Sequence, residues 1–349
     1  MGVEYIIVNI TFWFGLYLIV NLSLNLEYGY GGIPNFGKAF AVLIGAFALG
    51  GIINRLLIHL LGVSGQIIEA SSKSKTIMNA LISTNPYIGI FLFLFSIFLA
   101  FILGCIAGAL FILPSAKLKE DYLAITLLAI SEVVYFICYY NTDLIGGYYG
   151  VAIPDTFAFV PGEIRIFVFT AVVILVASLI YILLTRLLST PYGRLLKAVR
   201  ENEDVVRAYG KNIMTIKIKT VSLGSGVAAI AGALYSLHSV NVISSSFTRV
   251  EWTFYPFLMI LLGGAGNNLG VVLGTFIFVL VKTLLTMYKF EISAMLNLPF
   301  EAVWLEYIMF GVVMLLILYY KPEGLVKEKP ILTKPIKKVI KSRKERRLK

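Results

Sequence analysis

The sequence predicts an all-α fold: a polytopic transmembrane helical bundle of about 8–10 spans. Three observations predict it. Of 349 residues, 59% are hydrophobic and only 14% are charged, whereas soluble domains average about 45–50% apolar and about 25% charged. Several windows are long and apolar enough to cross a bilayer as helices. These runs are continuous rather than alternating, and a membrane β-barrel would alternate, because its strands face lipid and lumen in turn.

The first apolar run, 5–26, has neither a basic leader segment nor a small-residue cleavage site, so it reads as a retained span. The second covers 36–61. Between it and the third lies the Ser-rich stretch "GVSGQIIEASSKSKTIMNALISTNP" (62–86), expected to be an external loop with room for a short surface helix. The run at 87–114 is longer than a span needs, so a tilt, or a break near Gly104 and Gly108, is expected. Runs at 121–140, 164–188 and 218–243 follow. A short run at 254–262 is joined by "GGAGNNLG" to another at 269–288, and the last covers 303–320.

Charge orients the bundle. Residues 321–349 hold twelve Lys/Arg against three Glu, which marks this tail as cytoplasmic under the positive-inside rule. A nucleic-acid or lipid-binding arm is the other reading of such a cluster. The loop after residue 188 carries Arg194, Lys197, Arg200, Arg207, Lys211, Lys217 and Lys219, and is also cytoplasmic. The loop 141–165 carries Asp143, Asp155 and Glu163 against Arg165, and faces outside. These assignments agree when the two runs flanking "GGAGNNLG" supply an even number of crossings, or one re-entrant hairpin. Residues 1–320 then form one transmembrane domain with a loop at 189–217, followed by the basic tail.

That loop contains "TPYGRLLKAVRENEDVVRAYGKNI" (190–213), a charged segment set between two apolar runs. Thr190 can cap a helix, and Pro191 suits its first position, where the missing N–H has no helical partner. Leu195, Val199, Val206 and Tyr209 fall near one face. Asn202 can start a second short helix, whose dipole favours Glu203 and Asp204 in the first turn. Gly210 is placed to stop it. Two placements satisfy the pattern: docking into a partner's groove, or lying solvated at the headgroups.

Chemistry-bearing patterns are few. No G-x-x-x-x-G-K-[ST] phosphate loop occurs, and Asn267 and Asn268 follow the glycines at 263–266. The two histidines, His59 and His238, are isolated, so neither a metal site nor a catalytic constellation is expected. Cys105 and Cys138 read as buried free thiols. Glu132 lies inside a span, where an acid costs about 2.5–3.5 kcal/mol; it is expected to face the bundle interior, as path lining or as a hydrogen-bond hub. Lys282 can snorkel toward an interface. Gly29, Gly31 and Gly32 on one side, and Gly263, Gly264 and Gly266 on the other, suit broken helices beside a solute path, or tight helix packing.

Four stretches, in order, carry a resemblance: "NLSLNLEYGYGGIPNFGKAF" (21–40), "LPSAKLKEDYLAITLLAISEV" (113–133), "RLLSTPYGRLLKAVRENEDVVRAYGKNIMTIK" (186–217) and "AGALYSLHSVNVISSSF…LLGGAGNNLGVVLGTF" (231–276). Over about residues 20–320 the chain resembles the LivM-type permease subunits of branched-chain amino acid ABC transporters. It departs from their first motif at Lys38, where His is usual, and at Pro34.

The resemblance implies a non-enzymatic transport subunit in the cell membrane, passing branched-chain or related amino acids. Relatives for urea or short amides leave the solute open, and a secondary transporter or channel without ATPases is the alternative class. It also implies a second, homologous permease, two ATPases that hold the ATP and Mg, and an extracytoplasmic solute-binding protein; no nucleic acid is expected as a partner and no cofactor on this chain. The loop 189–217 becomes the cytoplasmic coupling helix. Arg194, Arg200, Glu201, Asn202, Glu203 and Gly210 match the family's motif there, and Leu195, Val199 and Val206 supply its apolar stripe.

Overall fold

The computed structural model describes residues 3–295 and 302–328; beyond residue 328 the basic tail lies outside the described residues. The helices follow the apolar runs. Helix α1 (Val3–Leu24) continues into a π-helical turn, Asn25–Tyr30. Helices α2 (Lys38–Phe47) and α3 (Asn54–Leu60) are joined by a second π turn, Ala48–Ile53, into one rod. Then come α4 (Ile67–Thr84), α5 (Pro86–Ile112), α6 (Glu120–Tyr140) and the short α7 (Thr142–Ile145). Helix α8 (Gly162–Ser189) leads into α9 (Pro191–Glu201) and α10 (Glu203–Ala208), and α11 (Ile213–Ser239) returns through the bundle. A π turn at Val250–Phe254 precedes α12 (Tyr255–Gly263), and α13 (Asn268–Met295) and α14 (Ala302–Tyr320) complete the described chain.

Seven helical stretches among the described residues are long and apolar enough to cross a membrane, and α14 adds a shorter apolar stretch, Trp304–Ile317. The chain is a multi-pass membrane protein. Helix α12 with its π turn makes only about 14 residues, or roughly 21 Å of helix, against a hydrocarbon core of about 30 Å. It is a partial span, and the glycine turn after it sits at the end of the bundle that carries α9.

Helix α11 is the centre. Small residues let its neighbours approach closely, the device that membrane helices use where no hydrophobic force drives association. A Cβ on Gly45 of α2 would fall 1.9 Å from the Ala229 carbonyl oxygen of α11. On the other side, a Cβ on Gly104 of α5 would meet the Ala229 methyl at 2.5 Å. Gly104 and Gly108 therefore do not break α5, which runs unbroken; they are its contact face on α11. Helices α5, α6 and α8 turn much of their apolar surface outward, as lipid-facing helices do.

The segment 62–86 holds more structure than a loop. Helix α4 has eighteen residues, and Ala70, Ser74, Met78 and Ile82 are buried along it at four-residue intervals. That face is half polar and small, so apolar periodicity did not reveal it. Helix α4 packs over a two-stranded antiparallel pair, β1 (Val151–Ala152) with β2 (Asn241–Val242), Val151 opposite Val242. These pieces close the end of the bundle opposite α9.

Candidate functional site

At the other end, the arm α9–α10 is built as its sequence dictates. The Thr190 hydroxyl accepts from the Tyr192 N–H, and the Asn202 side chain accepts from the N–H groups of Asp204 and Val205. Each cap satisfies donors that a helix start leaves open. Gly210 follows with φ +75°, a left-handed stop that a Cβ would strain.

The apolar stripe of the arm faces inward. Val199 and Val206 are only 2% and 6% exposed, and Leu196, not Leu195, is the fully buried leucine of α9. Two residues of the expected docking stripe thus hold the arm to this chain's own bundle, because the helices α8 and α11 on either side draw it down onto the membrane domain. What the arm presents outward is Val205 at 51% and Tyr209 at 82% exposure, together with Arg194, Glu201 and Arg207. Two polar contacts fasten it as well: Glu203 lies 2.6 Å from Lys217 of α11, and the Tyr192 hydroxyl 2.9 Å from that of Thr220. Burial raises the Tyr192 hydroxyl above the ordinary tyrosine range, so it remains a neutral partner at physiological pH.

Arg200 reaches from the arm into the bundle. Its guanidinium donates to the Gly29 carbonyl and to the Glu328 carboxylate, the latter at 2.8 Å. Glu328 also pairs with Lys197, one turn back on α9. Gly32, at φ +67°, lets the backbone pass close to Arg200: a Cβ there would meet the Arg200 Cγ at 2.8 Å.

The two glycine clusters meet here. The Asn25 side-chain oxygen accepts from the Gly266 N–H at 2.9 Å, while its amide donates to Asn268 at 2.9 Å. Behind them, the segment after α14 lies along the glycine turn: the Leu325 N–H donates to Leu262 and the Val326 N–H to Gly263, at 2.9 and 3.0 Å. Gly264 adopts φ +107° against the Val326 carbonyl. Gly29, Gly32, Gly263, Gly264 and Gly266 therefore share one site with Arg200.

A cleft of about 890 Å³ opens from this site. Phe36, Phe254, Phe257 and Leu258 supply much of its apolar lining, and its charged lining residues are Asp121 from the start of α6 and Arg200 and Glu328 beside Gly29. Glu132 is not among its lining residues. It is half-buried and lies 3.6 Å from Arg249, farther along α6 than Asp121 and Ala124 of the cleft. Among the described residues no set of His, Cys, Asp and Glu is arranged to hold a metal ion.

A family profile described as "Branched-chain amino acid transport system / permease component" matches residues 6–318. The chain belongs to this permease family. It is 58% identical, over 95% of its length and 96% of the relative's, to the probable branched-chain amino acid transport permease protein LivM of Methanocaldococcus jannaschii. It is 26% identical to the high-affinity branched-chain amino acid transport system permease proteins LivM of Escherichia coli and Salmonella typhimurium, over 89% of its own length and 68% of theirs. No solved structure matched it.

Three polar features of this permease were not singled out from sequence as sites. Asn25 and Glu328 build the site just described. Glu27 and Lys38 form an ion pair with no exposed surface, and Asn35 donates to the second Glu27 oxygen. Lys282 does not snorkel: its ammonium bonds Glu251 at 2.6 Å and lies 4.5 Å from the centre of the Tyr255 ring. For Asn25, Glu27, Lys38 and Lys282 the available signal was a polar residue within or beside an apolar run, where hydrocarbon demands a partner; Glu328, set among lysines of the tail, carried no such signal.

Proposed function

We propose that the chain is the membrane-spanning subunit of an ATP-driven importer for branched-chain amino acids. Two ATPases seat against α9–α10, a second homologous permease completes the translocation unit, and an extracytoplasmic binding protein delivers the solute. ATP and Mg belong to the ATPases. The end carrying α9 faces the cytoplasm, as does the chain after Tyr320.

One observation carries the reading. A doubly capped charged arm is anchored by its apolar side and offers a second face outward, while Arg200 connects it to the mouth of a largely apolar cleft. Such an arm transmits force from a soluble partner into a membrane bundle. Separation of charge supports the orientation: the arm and its flanks are basic, whereas Asp143 and Asp155 lie at the opposite end. The family description, a component of a transport system, argues for a multi-subunit machine over a self-sufficient secondary transporter.

The test is reconstitution in proteoliposomes with the second permease, the ATPases and the binding protein. Leucine, isoleucine or valine should stimulate ATP hydrolysis and accumulate, and the lone chain should do neither. Uptake of urea or acetamide without the amino acids would reject the solute. Concentrative uptake by the lone chain would reject the machine.

A further inference from the structure

We infer that Arg200 and Glu328 form a charged gate across the arm-side mouth of the cleft, which movement of α9 opens. The inference rests on the reading of α9–α10 as the ATPase-coupling arm, and it adds the residues through which that arm acts on the solute path.

The geometry is specific. Four separate pieces of chain converge on one guanidinium: α9 itself, the π turn that ends α1, the turn after α12 and the segment after α14. Arg200 holds the first two together through the Gly29 carbonyl, and Glu328 ties α9 to the last through both Lys197 and Arg200. A Cβ placed on Gly266 would lie 3.2 Å from the Arg200 Nη1 and 3.0 Å from the Glu328 Cδ, so the third piece packs directly against the pair. The side chains of Arg200 and Glu328 are about one quarter exposed. At that depth their attraction is screened less than a surface pair's, yet both ions can return to water when separated.

The pair also lies where a gate must. Arg200, Glu328 and Gly29 line the cleft where the arm meets it, and apart from Asp121 of α6 the rest of the lining is largely aromatic and aliphatic. An apolar side chain of leucine size suits that lining. To leave on the arm side it must pass Arg200 and Glu328. The two residues stand on different elements, so a shift of α9 relative to the segment after α14 parts them without unfolding either. Lys197, one turn back on the same helix, parts from Glu328 in the same movement, so both contacts of the carboxylate to α9 open together. Glu328 is therefore a positioning residue for transport and not a solute ligand.

The experiment compares Glu328→Gln and Glu328→Asp with the parent in the complete reconstituted complex. Three quantities are read: ATPase subunits retained on purification, ATP hydrolysed per leucine accumulated, and leucine leak without ATP. Glu328→Gln should retain the ATPases, yet raise the ATP consumed per leucine or the leak by about tenfold, the scale of one lost charge-assisted contact. Glu328→Asp should recover part of that. A Glu328→Gln complex with parental stoichiometry and no added leak overturns the gate. Loss of the ATPases when Val205 and Tyr209 are altered bears on the coupling arm instead, so the two readings fail separately. If Glu328→Gln does not accumulate in the membrane, Arg200→Gln is judged by the same two outcomes, since it removes the pair from the other side and leaves the segment after α14 intact.

Discussion

The Lys38 ammonium lies 2.7 Å from the Glu27 carboxylate, and neither side chain has exposed surface. The two residues flank the turn between α1 and α2, so the pair pins the start of α2 to the π turn that carries Gly29. Gly224 of α11 makes room for it: a Cβ there would sit 1.9 Å from the Glu27 Oε1.

Breaking such a pair leaves a buried charge with no partner, at about 3–5 kcal/mol, whereas removing both charges is far milder. Lys38→Met and Glu27→Gln should each lower the thermal midpoint of the detergent-solubilised protein sharply. The double variant should recover most of the loss. Additive losses in the double variant would show that the two residues are not coupled.

The inward turn of the arm reassigns two side chains. Val199→Asp places a charge in the protein's own core and should lower membrane abundance. Val205→Asp and Tyr209→Ala alter only the exposed face, so abundance should hold while co-purification with the ATPases falls. Normal association of the doubly substituted protein would place the docking face elsewhere.

The Asn202 cap serves two N–H groups at the break between α9 and α10. Asn202→Ala should cost about 0.5–2 kcal/mol of local stability, read as faster amide hydrogen exchange at Asp204 and Val205. Asn202→Asp should retain protection. Equal exchange in all three proteins would remove the cap from the account of the arm.

Sidedness can be read by labelling single cysteines in a background lacking Cys105 and Cys138. Tyr149→Cys and Lys211→Cys are both exposed positions at opposite ends of the bundle. An impermeant thiol reagent should reach the first from outside and the second only from the cytoplasmic side. Labelling of both from one side would overturn the orientation.

The tight approach at Gly45 gives a packing test. Gly45→Leu should force α2 away from α11 and reduce folded yield severely, because the Ala229 carbonyl lies where a Cβ would stand. A parental yield would mean that the two helices separate at little cost.

Much of the fold was legible in the sequence because hydrocarbon is an unforgiving solvent. Every spanning segment must satisfy its own backbone and be apolar along its length, so the runs at 87–114 and 164–188 announce α5 and α8 directly. Local chemistry likewise determined the arm: Thr190, Pro191, Asn202 and Gly210 act within one helical turn of themselves. Tertiary structure alone decided which way the arm faces, since Val199 and Tyr209 look equivalent on a helical wheel until α8 and α11 are placed. It also decided the partners of Glu27, Lys282 and Arg200. A buried charge in a span states that a counter-charge exists; where that counter-charge sits, as Glu251 does for Lys282, depends on helix packing, and packing likewise brings the arm's Arg200 to Glu328 although 128 positions separate them in the chain.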